Sequence, residues 1–233
     1  MKKDILKRLR KELRRKTFPL RELKAKRILN KYNKGSYFVK LIPKYISQTG
    51  NANRNLVEKK DMFPEITDIM AMKRFGAGSM KEFNYWAWRS CGIACIQSLI
   101  STFNGDFKDT TYSLVKEGVM FEGYNIKTDV GWYHDALMRL AKKYGIKSSR
   151  YEPVSSLEIP SHILQNHYVM TSMKSNTGGH LLLLYGFRVG ENGKLEGFWY
   201  HNPNNSRKKG KSLFIKKEEF DKEFKNRIIE LYK

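Results

Sequence analysis

The sequence predicts an α+β protein in which N-terminal helices pack on a C-terminal antiparallel sheet. The first observation is a change of period: apolar residues recur at helical spacing up to Tyr144, whereas the alternation typical of strands dominates from His167 onward. The second is that 233 residues, 40% of them hydrophobic, suffice for one domain with a sizeable core. The third is that no apolar run approaches the roughly 18 residues of a membrane span.

Residues 1–34 are predicted to form a basic helical extension ahead of a domain that spans residues 35–233. Residues 1–44 hold 17 of the 45 Lys and Arg residues but only 3 of the 23 Asp and Glu residues, so much of the net charge of +22 lies there. Pro19 divides the extension into two helical pieces. Such helices could bind a polyanion or an acidic membrane surface, or they could simply dock on the body.

The segment after the extension is predicted to begin with a strand. Residues between Ser36 and Ser47 include a run of aromatic and branched side chains that ends near Pro43. Residues 56–84 mix charge, Met and Gly, and a helix near Ile66–Arg74 is predicted within them.

Three helices are predicted in the middle of the chain. The strongest begins at Cys91 and carries an apolar stripe along one face, formed by Ile93, Ile96, Leu99, Ile100 and Phe103. Two further helices are expected at Thr110–Glu117 and Trp132–Tyr144, and Gly145 can cap the second of them.

The last third of the chain is predicted to supply most of the sheet. Polar turns separate its short alternating or apolar runs, and one short helix is expected at Lys217–Phe224. The predicted strands are His167–Met173, His180–Val189, Leu195–His201, Ser212–Ile215 and Arg227–Tyr232.

Cys91 falls at the first turn of its predicted helix, which is a favourable place for a reactive cysteine. Unpaired backbone N–H groups and the positive end of the helix dipole favour the thiolate over the thiol there. Gly92 is expected to leave room for a substrate backbone to approach. The alternative is that Cys91 is a small buried apolar residue.

Cys91 and Cys95 are both predicted to be free thiols. Four residues apart on a helix, their Cβ atoms lie about 5–6 Å from each other, whereas a disulfide requires about 3.5–4.5 Å. Free thiols fit a reducing compartment, and the charged N-terminus lacks the apolar region of a signal peptide. We therefore expect a cytoplasmic protein.

A cysteine nucleophile needs a base, and the base needs an orienting partner. His180 opens the most apolar strand, and Asn202 directly follows the next strand. If these strands form a hairpin, their outer ends lie side by side, so the Asn202 side chain could fix the tautomer of the His180 ring. The alternatives are a satisfied histidine at a sheet end and a turn residue before Pro203.

The remaining histidines are assigned no catalytic role. His134 lies on a helix beside Trp132 and is interpreted as packing, and His162 and His167 have no evident partner. No metal or cofactor is predicted, because the cysteines and histidines lack the usual zinc-ligand spacings and no phosphate-binding glycine loop occurs.

Together these residues resemble the papain-like cysteine peptidases, and within them the bacteriocin-processing, double-glycine-type peptidase group. The resemblance covers roughly residues 36–233 and rests on four pieces: Ser90–Cys95, Gly131–His134, Gly178–Gly186 and His201–Pro203. It implies a papain-like α+β fold with Cys91 as nucleophile and His180 as general base and acid. Asn202 would occupy a position that this group usually fills with Asp.

The resemblance also implies an oxyanion donor ahead of the cysteine. The family uses a glutamine for this purpose, and Ile42–Gln48 resembles the segment that carries it. Gln48 precedes Cys91 by 43 residues, a longer distance than expected, which an insertion over roughly residues 50–84 would explain.

The sequence thus predicts a cysteine peptidase that cleaves a peptide or protein substrate through a thiol acyl-enzyme. An acyltransferase or amidase of the same fold would use the same chemistry, and the sequence does not separate these activities. A non-catalytic binding module with a polyanion-binding leader is a further alternative. The oligomeric state is left open.

Overall fold

The structure is a computed structural model that describes residues 2–59, 63–105, 107–129, 131–175, 179–205 and 207–233, without the side chains of residues 2–7, 10, 192, 207 and 208. The helices are α1 (Lys2–Lys16), α2 (Phe18–Leu29), α3 (Ile69–Phe75), α4 (Met80–Ala87), α5 (Cys91–Phe103), α6 (Thr111–Met120), α7 (His134–Lys143), α8 (Ile159–Leu164), α9 (Arg207–Gly210) and α10 (Lys217–Glu223). The strands are β1 (Gly35–Phe38), β2 (Val57–Glu58), β3 (Glu65–Ile66), β4 (Lys147–Tyr151), β5 (Tyr168–Met173), β6 (His180–Val189), β7 (Leu195–His201), β8 (Leu213–Lys216) and β9 (Phe224–Tyr232).

Seven strands form one antiparallel sheet in the order β4-β9-β5-β6-β7-β8, and β1 pairs with the second half of β6. Strand β6 is almost entirely buried, which is why its sequence is a continuous apolar run rather than an alternation. β6 and β7 form the predicted hairpin, and its register pairs Leu183 with His201. The α+β prediction of helices packed on an antiparallel sheet is therefore confirmed.

Helix α5 lies at the centre of the molecule, between the sheet and the helices α6 and α7. Ten of its thirteen residues, from Gly92 to Ser101, are buried. Because the core surrounds this helix, the direction in which its first turn points is firmly set. That first turn begins at Cys91.

The two basic N-terminal helices dock on the body. Ala25 and Leu29 of α2 are buried, and Leu29 belongs to the main hydrophobic core. Arg21 forms an ion pair with Glu158, and Lys11 of α1 donates to Glu152 at 2.8 Å. The division into two helices near Pro19 is as predicted, while the domain boundary at residue 34 stays a prediction.

Some elements differ from the sequence prediction. The predicted strand after Ser36 covers only Gly35–Phe38. Beyond Val39 the backbone N–H groups of Lys40 and Lys44 donate to side chains, those of Asn166 and Thr102, instead of to a neighbouring strand. Helix α4, which begins within residues 56–84 and ends at Ala87, was not predicted, and neither were helix α8 and strand β4. Strand β4 reads Lys-Ser-Ser-Arg-Tyr and lies at the edge of the sheet, so no apolar alternation marks it.

None of the described helices is both long enough and apolar enough to cross a bilayer.

Candidate active site

The chain brings two residues with nucleophile and base chemistry to one cavity of about 310 Å³. Cys91 is partly exposed at the start of α5, and His180 is partly exposed at the start of β6. Both line the cavity, together with the aromatic side chains of Trp88 and Trp132. Gly178, which the resemblance included, lies outside the described residues.

Leu181, the residue after His180, connects the two elements. Its backbone N–H acts to lower the pKa of the Cys91 thiol, and its carbonyl oxygen accepts from Cys95 Sγ at 3.8 Å. Both cysteines are free, as predicted, and Cys95 is buried one turn below Cys91. The first turn of α5 and the first residues of β6 are therefore held against each other.

His180 is oriented by Asn202. The ring Nε2 lies 2.8 Å from Asn202 Oδ1, and the backbone N–H of Asn204 donates to the same oxygen at 3.0 Å. Because that oxygen only accepts, Nε2 of His180 must carry the proton. The other nitrogen, Nδ1, then holds a lone pair that can accept a proton.

The pKa values of the two groups describe a neutral pair. Burial lowers the pKa of His180 below its ordinary value of 6.5, and the hydrogen bond to Asn202 opposes this only in part. Burial raises the pKa of the Cys91 thiol, against the backbone N–H groups of Leu181, Gly92 and Cys91, which lower it. The expectation that the helix start favours the thiolate is wrong in its net direction, because desolvation outweighs these N–H groups.

Gly92 has a different purpose from the one predicted. A Cβ atom at this position would lie 2.8 Å from Leu137 Cδ1 and 2.9 Å from Leu181 Cδ1. The space next to Gly92 is filled by the core rather than left open to a substrate. Glycine is required here because α5 packs closely against α7 and β6.

Gln48 is not one of the residues that line the cavity. It is 1% exposed, and its backbone N–H donates to the carbonyl oxygen of Pro203 at 2.8 Å. Among the described residues its side-chain Oε1 has no hydrogen-bond partner. The structure thus brings Gln48 next to the loop that carries Asn202, while its side chain stays outside the cavity wall.

The segment that leads to Gln48 is tied to the same loop. His201 Nε2 donates to the carbonyl oxygen of Pro43 at 2.9 Å, since its Nδ1 accepts from the backbone of Ser212. The Tyr45 hydroxyl donates to the carbonyl oxygen of Asn202 at 3.0 Å. His201 is consequently a structural residue, which leaves His180 as the histidine of the pair.

His134 lines the cavity as well, although its sequence position was interpreted as packing. Its Nε2 lies 3.1 Å from Ser172 Oγ, and its buried Nδ1 has no partner in the described part of the chain. Burial, together with the charges of Arg150 and Arg227, lowers the pKa of His134 to about 4. The sequence did hold one indication that His134 lies at the site: it is the last residue of Gly131–His134, one of the four segments on which the family resemblance rests.

The described residues include no group of three or more His, Cys, Asp or Glu side chains arranged to hold a metal ion. His162 and His167 instead share Glu230, whose Oε1 lies 2.6 and 2.7 Å from their Nδ1 atoms. These two histidines therefore have a partner that the sequence did not indicate.

Cys91 lies at the start of the central helix, and this helix packs against a sheet that has the hydrogen-bonded pair His180 and Asn202 at one end. This arrangement places the chain in the papain-like cysteine peptidase class. More narrowly, residues 79–228, well over half of the chain, match the Peptidase_C39 like family, and the chain belongs to that family. The resemblance to the double-glycine-type peptidases is confirmed. Gln48 and the basic leader lie outside the matched residues.

Solved structures with similar folds include three peptidase domains. The peptidase domain of Streptococcus ComA, a bi-functional ABC transporter involved in a quorum sensing pathway, is 17% identical with a TM-score of 0.45, over 62% of this chain and 92% of that one. A double glycine motif protease from an AMS/PCAT transporter, in complex with the leader peptide, is 18% identical with a TM-score of 0.39, over 62% and 86%. The peptidase domain of Streptococcus mutans ComA is 17% identical with a TM-score of 0.39, over 62% and 93%.

No curated protein sequence matches the chain.

Proposed function

We propose that this protein is a cysteine peptidase that cleaves a peptide bond through a thiol acyl-enzyme. The observation that carries the proposal is the 2.8 Å contact between His180 Nε2 and Asn202 Oδ1, at the edge of a cavity that Cys91 also lines. It fixes the ring so that Nδ1 is the nitrogen left to act as a base. The match to a peptidase family makes a peptide or protein the expected substrate.

In the first half-reaction Cys91 attacks the carbonyl carbon of the scissile bond. As the sulfur–carbon bond forms, Nδ1 of His180 takes the thiol proton, which suits a pair that is neutral beforehand. The carbon–nitrogen bond then breaks, and the departing amine receives that proton from His180. A thioester remains on Cys91.

In the second half-reaction water replaces the amine. His180 Nδ1 accepts a proton from the water as its oxygen attacks the thioester carbonyl. The carbon–sulfur bond then breaks, the acyl part leaves as a carboxylic acid, and the proton on His180 returns to sulfur to restore the Cys91 thiol. Asn202 keeps the ring in one tautomer through both halves. The side-chain amide of Gln48 is the proposed oxyanion donor, and it would have to turn toward the cavity in order to act.

Two alternatives remain beside hydrolysis of a peptide bond. An acyltransferase or amidase would form the same thioester and differ in the acceptor or in the bond attacked. A non-catalytic module with a polyanion-binding leader would make no use of Cys91. A reducing compartment such as the cytoplasm is the proposed location, because both thiols are free.

Thiol labelling tests the proposal without knowledge of the substrate. We expect iodoacetamide to modify Cys91 of the folded protein much faster than Cys95, and His180→Ala to slow that modification by at least about tenfold. Cys95→Ala is the matched control and should leave the labelling of Cys91 in place. Equal labelling of both cysteines, or no effect of His180→Ala, would contradict a catalytic pair.

Turnover separates the alternatives. Mass spectrometry of a peptide mixture incubated with the protein should reveal cleaved bonds that are missing with Cys91→Ala. An added amine that replaces water in the products would indicate an acyltransferase instead.

A further inference from the structure

The cavity beside Cys91 has a cationic wall that the peptidase chemistry does not use. We define this wall as Arg150 of β4, Lys225 and Arg227 of β9, all of which line the cavity. Arg89 lines it too, but its Nε and NH2 are bound by Asp129 at 2.7 and 2.5 Å. Among the described lining residues, Asp129 is the one with a carboxylate, and its two oxygens accept hydrogen bonds from Arg89.

A single carboxylate serves both arginines of the wall. Glu152 accepts from Arg150 NH2 at 2.7 Å through Oε2 and from Arg227 NH2 at 3.0 Å through Oε1. The same Oε1 accepts from Lys11 at 2.8 Å, so three cations share one negative charge. Asp135 contacts Arg150 NH1 at 3.7 Å. Positive charge is therefore left over at this side of the cavity.

Two buried polar atoms of the cavity residues also lack partners. The Nε–H of Arg227 donates to nothing in the described part of the chain, and His134 Nδ1 is in the same situation. Leaving such groups unsatisfied costs free energy, and it shows that the described part of the chain brings no further acceptor to this side of the cavity. The low pKa of His134 has burial as its main cause, and the positive charges of Arg150 and Arg227 add to the effect.

The sheet sets the distance between the wall and the reacting sulfur. Leu181, which touches Cys91, pairs with Ser172 on β5, and β9 and β4 follow next in the sheet. At about 4.8 Å per strand, Arg227 stands about 10 Å and Arg150 about 14 Å across the sheet from Leu181. An extended peptide advances about 3.3 Å per residue, so these distances correspond to a few residues of substrate.

We infer that the cationic wall binds a carboxylate of the substrate, an Asp or Glu side chain about two to four residues from the scissile bond. This inference rests on the proposed peptidase function, and it names a property of the substrate that the Cys91–His180 chemistry leaves open. Arg150 and Arg227 determine specificity, because each guanidinium group has N–H donors beyond the one that Glu152 accepts.

The test uses two electrophiles that differ only in charge, iodoacetyl-Ala-Glu-amide and iodoacetyl-Ala-Gln-amide. Both alkylate Cys91 in the same way: the sulfur–carbon bond forms and iodide leaves. We expect the second-order rate constant of the Glu probe to exceed that of the Gln probe by about twofold to fivefold, the effect of one partly exposed ion pair. The ratio should fall to about one in Arg227→Gln, and independently in Arg150→Gln.

Lys142→Gln is the matched control, because it removes an exposed positive charge from α7 without touching the cavity, and it should keep the ratio. A ratio near one in the unaltered protein would overturn the inference, as would an equal fall in Lys142→Gln. If Cys91 reacted with neither probe, the peptidase proposal would fail on its own. In that case, isothermal titration of Ala-Ala-Glu-Ala-Ala and Ala-Ala-Gln-Ala-Ala into the Cys91→Ala variant would test carboxylate binding by the cationic wall directly. Equal affinities for the two peptides would overturn the inference.

Discussion

The backbone N–H of Gln48 donates to the carbonyl oxygen of Pro203 at 2.8 Å. This bond ties a segment from the N-terminal half of the chain to the loop that orients the His180 ring through Asn202. The side chain of Gln48 nevertheless lies outside the cavity, with its Oε1 unpaired among the described residues. Its role as an oxyanion donor therefore stays a prediction, which the variant Gln48→Ala tests.

If Gln48 stabilises an oxyanion, its loss should affect reactions at a carbonyl but not alkylation. We expect Gln48→Ala to slow the acylation of Cys91 by p-nitrophenyl acetate by about 10²–10³-fold, while the rate of alkylation by iodoacetamide, which forms no oxyanion, changes little. Release of nitrophenol measures the first rate, and mass spectrometry the second. Gln165→Ala, at an exposed glutamine, is the control. A parallel fall in both rates would indicate a structural role only.

Asn202 should control both the pKa and the orientation of His180. Because its hydrogen bond raises the pKa of His180, Asn202→Ala should lower that pKa further, and Asn202→Asp should raise it by adding a negative charge. NMR titration of the His180 ring measures both shifts. Alkylation of Cys91 should slow by about tenfold or more in the Ala variant, since the tautomer is no longer fixed.

Asn204→Ala is the matched control for this experiment. The exposed side chain is removed, but the backbone N–H that donates to Asn202 Oδ1 at 3.0 Å remains. An unchanged pKa of His180 in both Asn202 variants would show that the contact does not govern the ring.

Glu230 should make stability depend on pH in the acid range. Burial alone would raise its pKa, but hydrogen bonds from His162 and His167 lower it to about 2, from an ordinary value of 4.5. A carboxyl with a depressed folded-state pKa stabilises the fold above about pH 4.5, and this contribution is lost as the pH falls toward 2. At about 1.4 kcal/mol per pKa unit, the full contribution is about 3 kcal/mol.

Urea unfolding at pH 7, 4.5 and 3 measures this contribution. We expect the free energy of unfolding of Glu230→Gln to fall less steeply between pH 4.5 and 3 than that of the unaltered protein. Glu218→Gln, at an exposed position of α10, should follow the unaltered protein. Identical slopes for all three proteins would contradict the assignment.

The leader should bind polyanions through side chains that are not engaged with the body. Arg14 and Arg21 pair with Glu158, whereas Arg8, Arg15 and Lys16 are exposed on α1. Replacing these three exposed residues with Gln should weaken heparin binding and lower its dependence on salt, because fewer counterions are released. Affinity measured at several salt concentrations gives both quantities.

The control variant removes three exposed charges from the body, by Gln substitutions at Lys81, Lys142 and Lys216. Equal losses in the leader and body variants would show that net charge alone governs binding, and the proposed role of residues 1–34 would be withdrawn.

Much of the fold follows from local pattern, because a periodic apolar face predicts the element that buries it. Strands β6 and β7 have the predicted bounds, and α5 begins at Cys91 as its stripe indicates. The elements that were not predicted are those whose state depends on distant partners. Strand β4 is polar, and it is a strand because it pairs with β9 at the edge of the sheet.

The sequence by itself determined the candidates: a cysteine at a helix start, a histidine at a strand start and an asparagine after the next strand. Only the tertiary structure decided their charge states and surroundings, because desolvation depends on how the whole chain packs. It placed His180 Nε2 against Asn202, filled the space beside Gly92 with leucine side chains, and raised the pKa of Cys91 where the helix start alone would lower it. The cationic wall likewise exists only after β4 and β9 come together, since no local pattern joins Arg150 to Arg227.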